Sequence, residues 1–166
     1  MSAFIIRPAK PEDRAAIRGV EERAFGRPDE ANLAERLVAD GDVVLELVAE
    51  RHGEILGHVL FSRLQVVTGA WSTPAVSLAP LAVDPAHQQV GIGTELVREG
   101  HLRLMAQGES LSVVLGDPAY YARFGYTHDR AAGFECTWQG DALQAIAFEE
   151  APQSGRIVYA RAFDAI

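Results

Sequence analysis

The sequence predicts an α/β (α+β) fold, with a mixed, mostly antiparallel central sheet of six to seven strands covered by helices on both faces. Three observations predict it. Segments with two-residue and 3.6-residue apolar periodicity alternate along the chain. Three consecutive strand-like runs in the first half are joined by short turns, which makes a meander. The 166 residues, 48% hydrophobic and 23% charged, suit one self-sufficient domain.

Phe4, Ile5 and Ile6 form a short apolar run closed by Pro8 and Pro11, a first strand. Residues 12–25 then carry Ile17, Val20, Ala24 and Phe25 at helical spacing, and Glu12 and Asp13 suit the positive end of that helix. After a break at Gly26-Arg27-Pro28, Asp29 is expected to cap a second helix bearing Leu33, Leu37 and Val38, which Gly41 ends. Residues 43–50 and 55–67, on either side of Arg51-His52-Gly53, read as a hairpin, and residues 75–83 as a nearly all-apolar central strand. Asp84-Pro85 stops that strand. A third long helix is expected over 91–107, a buried strand over 111–115, a short helix over 118–124, and strands over 143–148 and 156–163.

Fifteen Lys and Arg against 23 Asp and Glu give a formal charge of −8, which argues against nucleic acid and acidic lipid as partners and favours a basic ligand. The only cysteine, Cys136, excludes an internal disulfide framework, and the amino-terminal stretch lacks the apolar core of a secretory leader, so the expectation is a cytoplasmic protein. No apolar run approaches the length of a membrane span. The five histidines form no HExxH pair, so no metal site is expected. The absence of a G-x-S-x-G elbow, and of a Ser or Cys nucleophile in the loop after Val83, argues against a serine hydrolase.

The most informative segment runs from Leu81, Ala82 and Val83 through Asp84-Pro85-Ala86-His87 and Gln88-Gln89-Val90 to Gly91, Ile92, Gly93 and Thr94. A buried strand here ends in a turn and enters a helix through two glycines. The first turn of a helix presents backbone N–H groups without internal partners and a partial positive charge, which suits a phosphate. Two familiar phosphate loops fail. A Walker loop needs a Lys before Ser or Thr, and the sole lysine is Lys10. A dinucleotide fingerprint would place its third glycine at Leu96.

The sequence resembles the GNAT family of N-acetyltransferases, whose pyrophosphate loop reads Gln/Arg-x-x-Gly-x-Gly/Ala and is matched by Gln88, Gly91 and Gly93. Residues 81–85 look like that family's fourth strand, and Tyr121 with Gly125-Tyr126 looks like its Tyr-x-x-x-Gly-Phe/Tyr element. The string Leu115-Gly116-Asp117-Pro118-Ala119-Tyr120-Tyr121 is similar to the YhbS-like branch of predicted acetyltransferases. The resemblance implies a single N-acetyltransferase domain over residues 1–166, with the sheet splayed between its fourth and fifth strands. It also implies acetyl-CoA as cosubstrate and transfer of the acetyl group to a primary amine by direct attack.

In that reading the N–H groups from Gln89 to Thr94, including those of Val90 and Ile92, hold the pyrophosphate. The pantetheine amides pair with Leu81 and Val83 like an added strand. An N–H near Leu81 or Ala82 faces the thioester carbonyl. The resemblance makes Tyr121 the general acid for the leaving thiolate, while aromatic packing is the competing reading of both Tyr121 and Tyr120. Several relatives carry an acidic base where this chain has Ser77, so Glu22, Glu46 and His58 are candidate substitutes, each with a plain structural alternative. Asp117, in a region where many relatives use Asn, either caps the short helix or touches ligand. The acceptor is a small-molecule or peptide amine, with polyamine, aminoglycoside, amino acid and protein amine all open, and the chain is a monomer or homodimer. A non-catalytic acyl-CoA-binding or sensor protein of the same fold is the alternative.

Overall fold

A computed structural model describes residues 4–166. Residues 1–3 lie outside the described residues. Strand β1 (Ile5–Pro8) is followed by helices α1 (Arg14–Phe25) and α2 (Asp29–Asp40), and then by the meander β2 (Val43–Arg51), β3 (Glu54–Thr68) and β4 (Trp71–Val83). Helix α3 (Ile92–Ala106) and strand β5 (Leu111–Leu115) come next, then the single turns α4 (Pro118–Tyr121) and α5 (His128–Ala131). Strands β6 (Phe134–Glu135), β7 (Leu143–Ala147) and β8 (Gly155–Val158) complete the chain. The sheet has the order β1-β2-β3-β4-β5-β7, in which every pair is antiparallel except β4–β5, with β8 attached antiparallel to β3 and β6 parallel to β8.

The alternation of β3 and β4 divides the core. Val59, Phe61, Leu81 and Val83 face α3 together with Ile92, Leu96 and Val97, whereas Val48, Ile55 and Ala82 face α1 beside Ile17 and Val20. Leu60 meets Leu33 and Leu37 of α2. Helices thus cover both faces, as a sheet with two apolar faces requires.

Several local expectations are corrected. Asp29 is not the cap of α2: Pro28 occupies that position, without a side-chain cap bond, and Asp29 is the first helical residue. The hairpin before residue 75 is tighter than expected, because β4 starts at Trp71 and pairs with β3 from Thr68 onward. The expected strand over 156–163 stops at Val158, and residues 161–165 form a 3-10 turn. Ala162 and Phe163 from that turn pack on Leu33 and Leu37, a demand of one helix-like face that overrides the β-rich composition of the run.

Candidate functional site

Strands β4 and β5 pair only through Val76–Ser112, Ser77–Val113 and Leu78–Val114. Beyond Leu78 they part, because β5 stays paired with β7 through Leu115–Leu143 while β4 bends away. The bend has a visible cause. The β3–β4 register slips between Val59–Leu81 and Phe61–Leu78, with one intervening residue on β3, Leu60, against two on β4, Ala79 and Pro80, which is a bulge. Pro80 has no N–H for a ladder. The stretch from Ala79 to Val83 therefore has no strand partner on its β5 side, and its backbone groups need another.

At the end of this open edge the chain turns into α3. Asp84 accepts a hydrogen bond from the Ala86 N–H at 3.0 Å, and the Gln88 side-chain amide donates to the Val83 carbonyl at 3.2 Å, so Gln88 ties the loop back to the strand. Gly91 forms the N-cap of α3 with φ +91°, a left-handed conformation that penalises any Cβ even though the space around it is open. Gly93 is constrained by contact instead, since a Cβ there would sit 2.6 Å from the Tyr120 hydroxyl.

These residues enclose a cavity of about 460 Å³ lined by Leu81, Val83, Gln88 and Gln89 with Gly91, Ile92, Gly93 and Thr94. Two expected residues are missing from its lining. The Ala82 side chain is buried on the opposite face of the sheet, and Val90 is 58% exposed. One unexpected residue is present. Arg123 donates to the Thr94 hydroxyl at 3.0 Å and its guanidinium lies 4.5 Å from the centre of the Tyr120 ring, which places a fixed positive charge beside the N-terminus of α3. The sequence signal for it was an Arg two residues after the family's tyrosine.

A second cavity, of about 700 Å³, opens where β4 and β5 part, and Tyr120 and Leu81 line both cavities. Tyr121 lines the larger one, packed against Tyr120 with ring centres 5.0 Å apart and against Tyr126 at 5.8 Å. Burial pushes its phenol above the ordinary value, and nearby Tyr120 and Asp117 push the same way, so the group holds its proton at neutral pH. Ser77 lines this cavity too. Asp117 accepts from the Ala119 N–H at 3.0 Å as the cap of α4, and it also lines the cavity.

The three candidate bases are placed differently. Glu22 is on the surface of α1, ion-paired with Arg18 at 3.3 Å. Glu46 and His58 are joined: His58 is fully buried, its Nε2 2.7 Å from the Glu46 carboxylate and its Nδ1 2.6 Å from Glu21, and Arg14 closes the network on Glu46. Burial alone would lower the imidazole pKa, but hydrogen bonds to the two carboxylates outweigh it and hold it above the usual value. Burial likewise pushes Glu46 up, but His58 and Arg14 together bring it below the ordinary carboxylate range. None of the three lines either cavity.

Glu21, the fourth member of the network, was not singled out by sequence, although a His inside the apolar run of β3 signals that a buried partner must exist. Among the described residues no group of three His, Cys, Asp or Glu side chains is placed to hold a metal ion, and no helix is long and apolar enough to cross a membrane.

Comparison with known proteins agrees with this geometry. Residues 5–128 match the acetyltransferase (GNAT) domain family. The chain is 43% identical to the uncharacterized N-acetyltransferase YjhQ of Escherichia coli over 119 residues, 69% of this chain and 64% of that protein. It is 36% identical to the uncharacterized N-acetyltransferase YhbS of E. coli over 82% of this chain and 81% of that one. The crystal structure of E. coli YhbS in complex with CoA superposes with a TM-score of 0.91 at 32% identity, covering 99% of this chain and 93% of that one. That of a GNAT acetyltransferase from Brucella melitensis in complex with acetyl-CoA gives 0.84 at 34% identity, covering 99% and 100%. A parted β4–β5 pair, a glycine-gated helix start and these matches over most of the sequence lead to one conclusion: the chain belongs to the GNAT acetyltransferase family.

Proposed function

We propose that the protein transfers the acetyl group of acetyl-CoA to a primary amine by direct attack, without a covalent enzyme intermediate. The observation that carries this reading is the unpaired β4 edge from Ala79 to Val83, continuous with the N-terminus of α3. The residues fit the donor. The first-turn N–H groups of α3 suit the diphosphate oxygens, Arg123 adds charge beside them, and the β4 edge offers main-chain donors and acceptors to the pantetheine amides. The YhbS structure in complex with CoA and the Brucella structure in complex with acetyl-CoA support the same assignment.

The chemistry needs little more from the chain. As the amine nitrogen bonds to the carbonyl carbon and the C–S bond breaks, a β4 N–H near Leu81 opposes the charge on the carbonyl oxygen. The Tyr121 hydroxyl supplies a proton to the departing sulfur and is restored from solvent, while the proton lost by the attacking nitrogen passes to water at the cavity mouth. Among the described residues, Ser77 in the β4 wall is the only Ser or Cys that lines the larger cavity, and direct attack asks for no nucleophile on the enzyme.

The test is release of free CoA thiol from acetyl-CoA across a panel of amines, with the acetylated product identified by mass. Amine-dependent release that Gly91→Glu abolishes supports the reading. Binding of acetyl-CoA without release by any amine would instead favour a non-catalytic acyl-CoA sensor.

A further inference from the structure

The wall of the larger cavity narrows the acceptor. On its lining, Trp138, Tyr159 and Phe163 form a connected aromatic surface, with ring centres 5.0 Å apart for the first pair and 5.2 Å for the second. The Tyr159 hydroxyl is turned to Cys136 at 3.7 Å, so that residue offers chiefly its ring. Leu33 and Phe25 from the helices face the same space.

Charge is sparse there. Arg27 and Glu30 are closed on each other, with Nε 3.0 Å from the carboxylate, and Arg27 holds Glu30 below the usual carboxylate range, so the pair is neutral as a unit. Asp117 uses one oxygen for the Ala119 N–H and is the remaining charged side chain on the wall. Among the lining side chains, therefore, Asp117 is the one acidic group without a basic partner, in a largely apolar and aromatic surround.

We infer that the acceptor is a primary monoamine carried on an apolar, aromatic body, an aralkylamine in chemical class. The inference rests on the acetyl-transfer reading above. One ammonium can pair with the free oxygen of Asp117 and is further attracted by aromatic faces, and a flat apolar body replaces water against the rings. A polyamine or an aminoglycoside brings additional ammonium groups that meet no further unpaired acidic side chain on this wall and would lie against apolar and aromatic surface. The overall charge of −8 therefore misleads about the acceptor, because the acidic residues of the surface are not those of the cavity.

The experiment compares kcat/KM for 2-phenylethylamine and tryptamine with that for spermidine, kanamycin and a short peptide with a free amino terminus, alongside calorimetric binding of acetyl-CoA. The aralkylamines are expected to lead by about 100-fold or more, the order of a few kcal/mol of differential desolvation. Trp138→Ala is expected to lower kcat/KM for 2-phenylethylamine about tenfold with acetyl-CoA affinity unchanged. Equal or faster turnover of spermidine, kanamycin or the peptide overturns the inference, as does bound acetyl-CoA with no acceleration by either aralkylamine. Failure of acetyl-CoA to bind overturns the acetyl-transfer reading itself, and the two failures are told apart by the calorimetry. The amine panel on the unmodified protein decides the matter even if Trp138→Ala does not fold.

Discussion

Single side chains carry the sharpest expectations. At Gly91, φ +91° sets the requirement, and Gly91→Ala should lower stability by about 1–2 kcal/mol, the cost of a left-handed L-residue, measured by urea unfolding. Arg123 is a charge-assisted hydrogen-bond donor beside the proposed diphosphate site. Arg123→Ala should weaken acetyl-CoA binding about tenfold and flatten its salt dependence, while an unchanged dissociation constant would assign the guanidinium to packing on Tyr120 alone. Tyr121→Phe removes the proton donor and keeps the ring contacts with Tyr120 and Tyr126. Turnover should fall about 100-fold with acetyl-CoA affinity intact, and equal turnover would leave Tyr121 as core. The placement of Gly91, Gly93 and Tyr121 on the two cavities was legible in the sequence because it follows from local geometry or from a short motif. Arg123 was not, because its meaning comes from a contact with Thr94 across 29 positions.

Among the elements, α1 is fastened to the sheet by the buried network of Arg14 and Glu21 on the helix with Glu46 on β2 and His58 on β3. Removing one member leaves the others buried and unpaired, so His58→Ala should cost about 3–5 kcal/mol of unfolding free energy. Glu46 has a folded-state pKa below its ordinary value of 4.5, so its contribution is present above that pH and is lost as the pH falls through the folded value. The stability gap between the wild type and Glu46→Gln should therefore be widest above about pH 4.5 and close on acidification, as followed by thermal unfolding across pH. A gap that does not change with pH would deny the ionised pairing.

Long periodic elements were readable. Helices α1, α2 and α3 and the meander lie within a few residues of expectation, because their apolar spacing and glycine stops coincide. The C-terminal third was less so. β6 is two residues long, β8 joins β3 rather than its sequence neighbour, and the 3-10 turn at 161–165 is shaped by α2, all of which depend on distant partners. The aromatic wall of Trp138, Tyr159 and Phe163 is built from that part, which is why composition gave no hint of it.

For the whole molecule, the bulge at Ala79–Pro80, the parted strands and the start of α3 form one continuous groove, and the account stands on that groove holding acetyl-CoA. A ligand that binds only the folded state raises its stability by about 2.7 kcal/mol at 100 times the dissociation constant, so acetyl-CoA should raise the midpoint of thermal unfolding in a concentration-dependent way. The most direct measurement is a crystal structure of the protein with acetyl-CoA. Diphosphate oxygens are expected within hydrogen-bond distance of the N–H groups between Gly91 and Thr94, and pantetheine amides paired along Ala79 to Val83. Acetyl-CoA seated elsewhere, with that edge and that helix start left to solvent, would contradict that expectation.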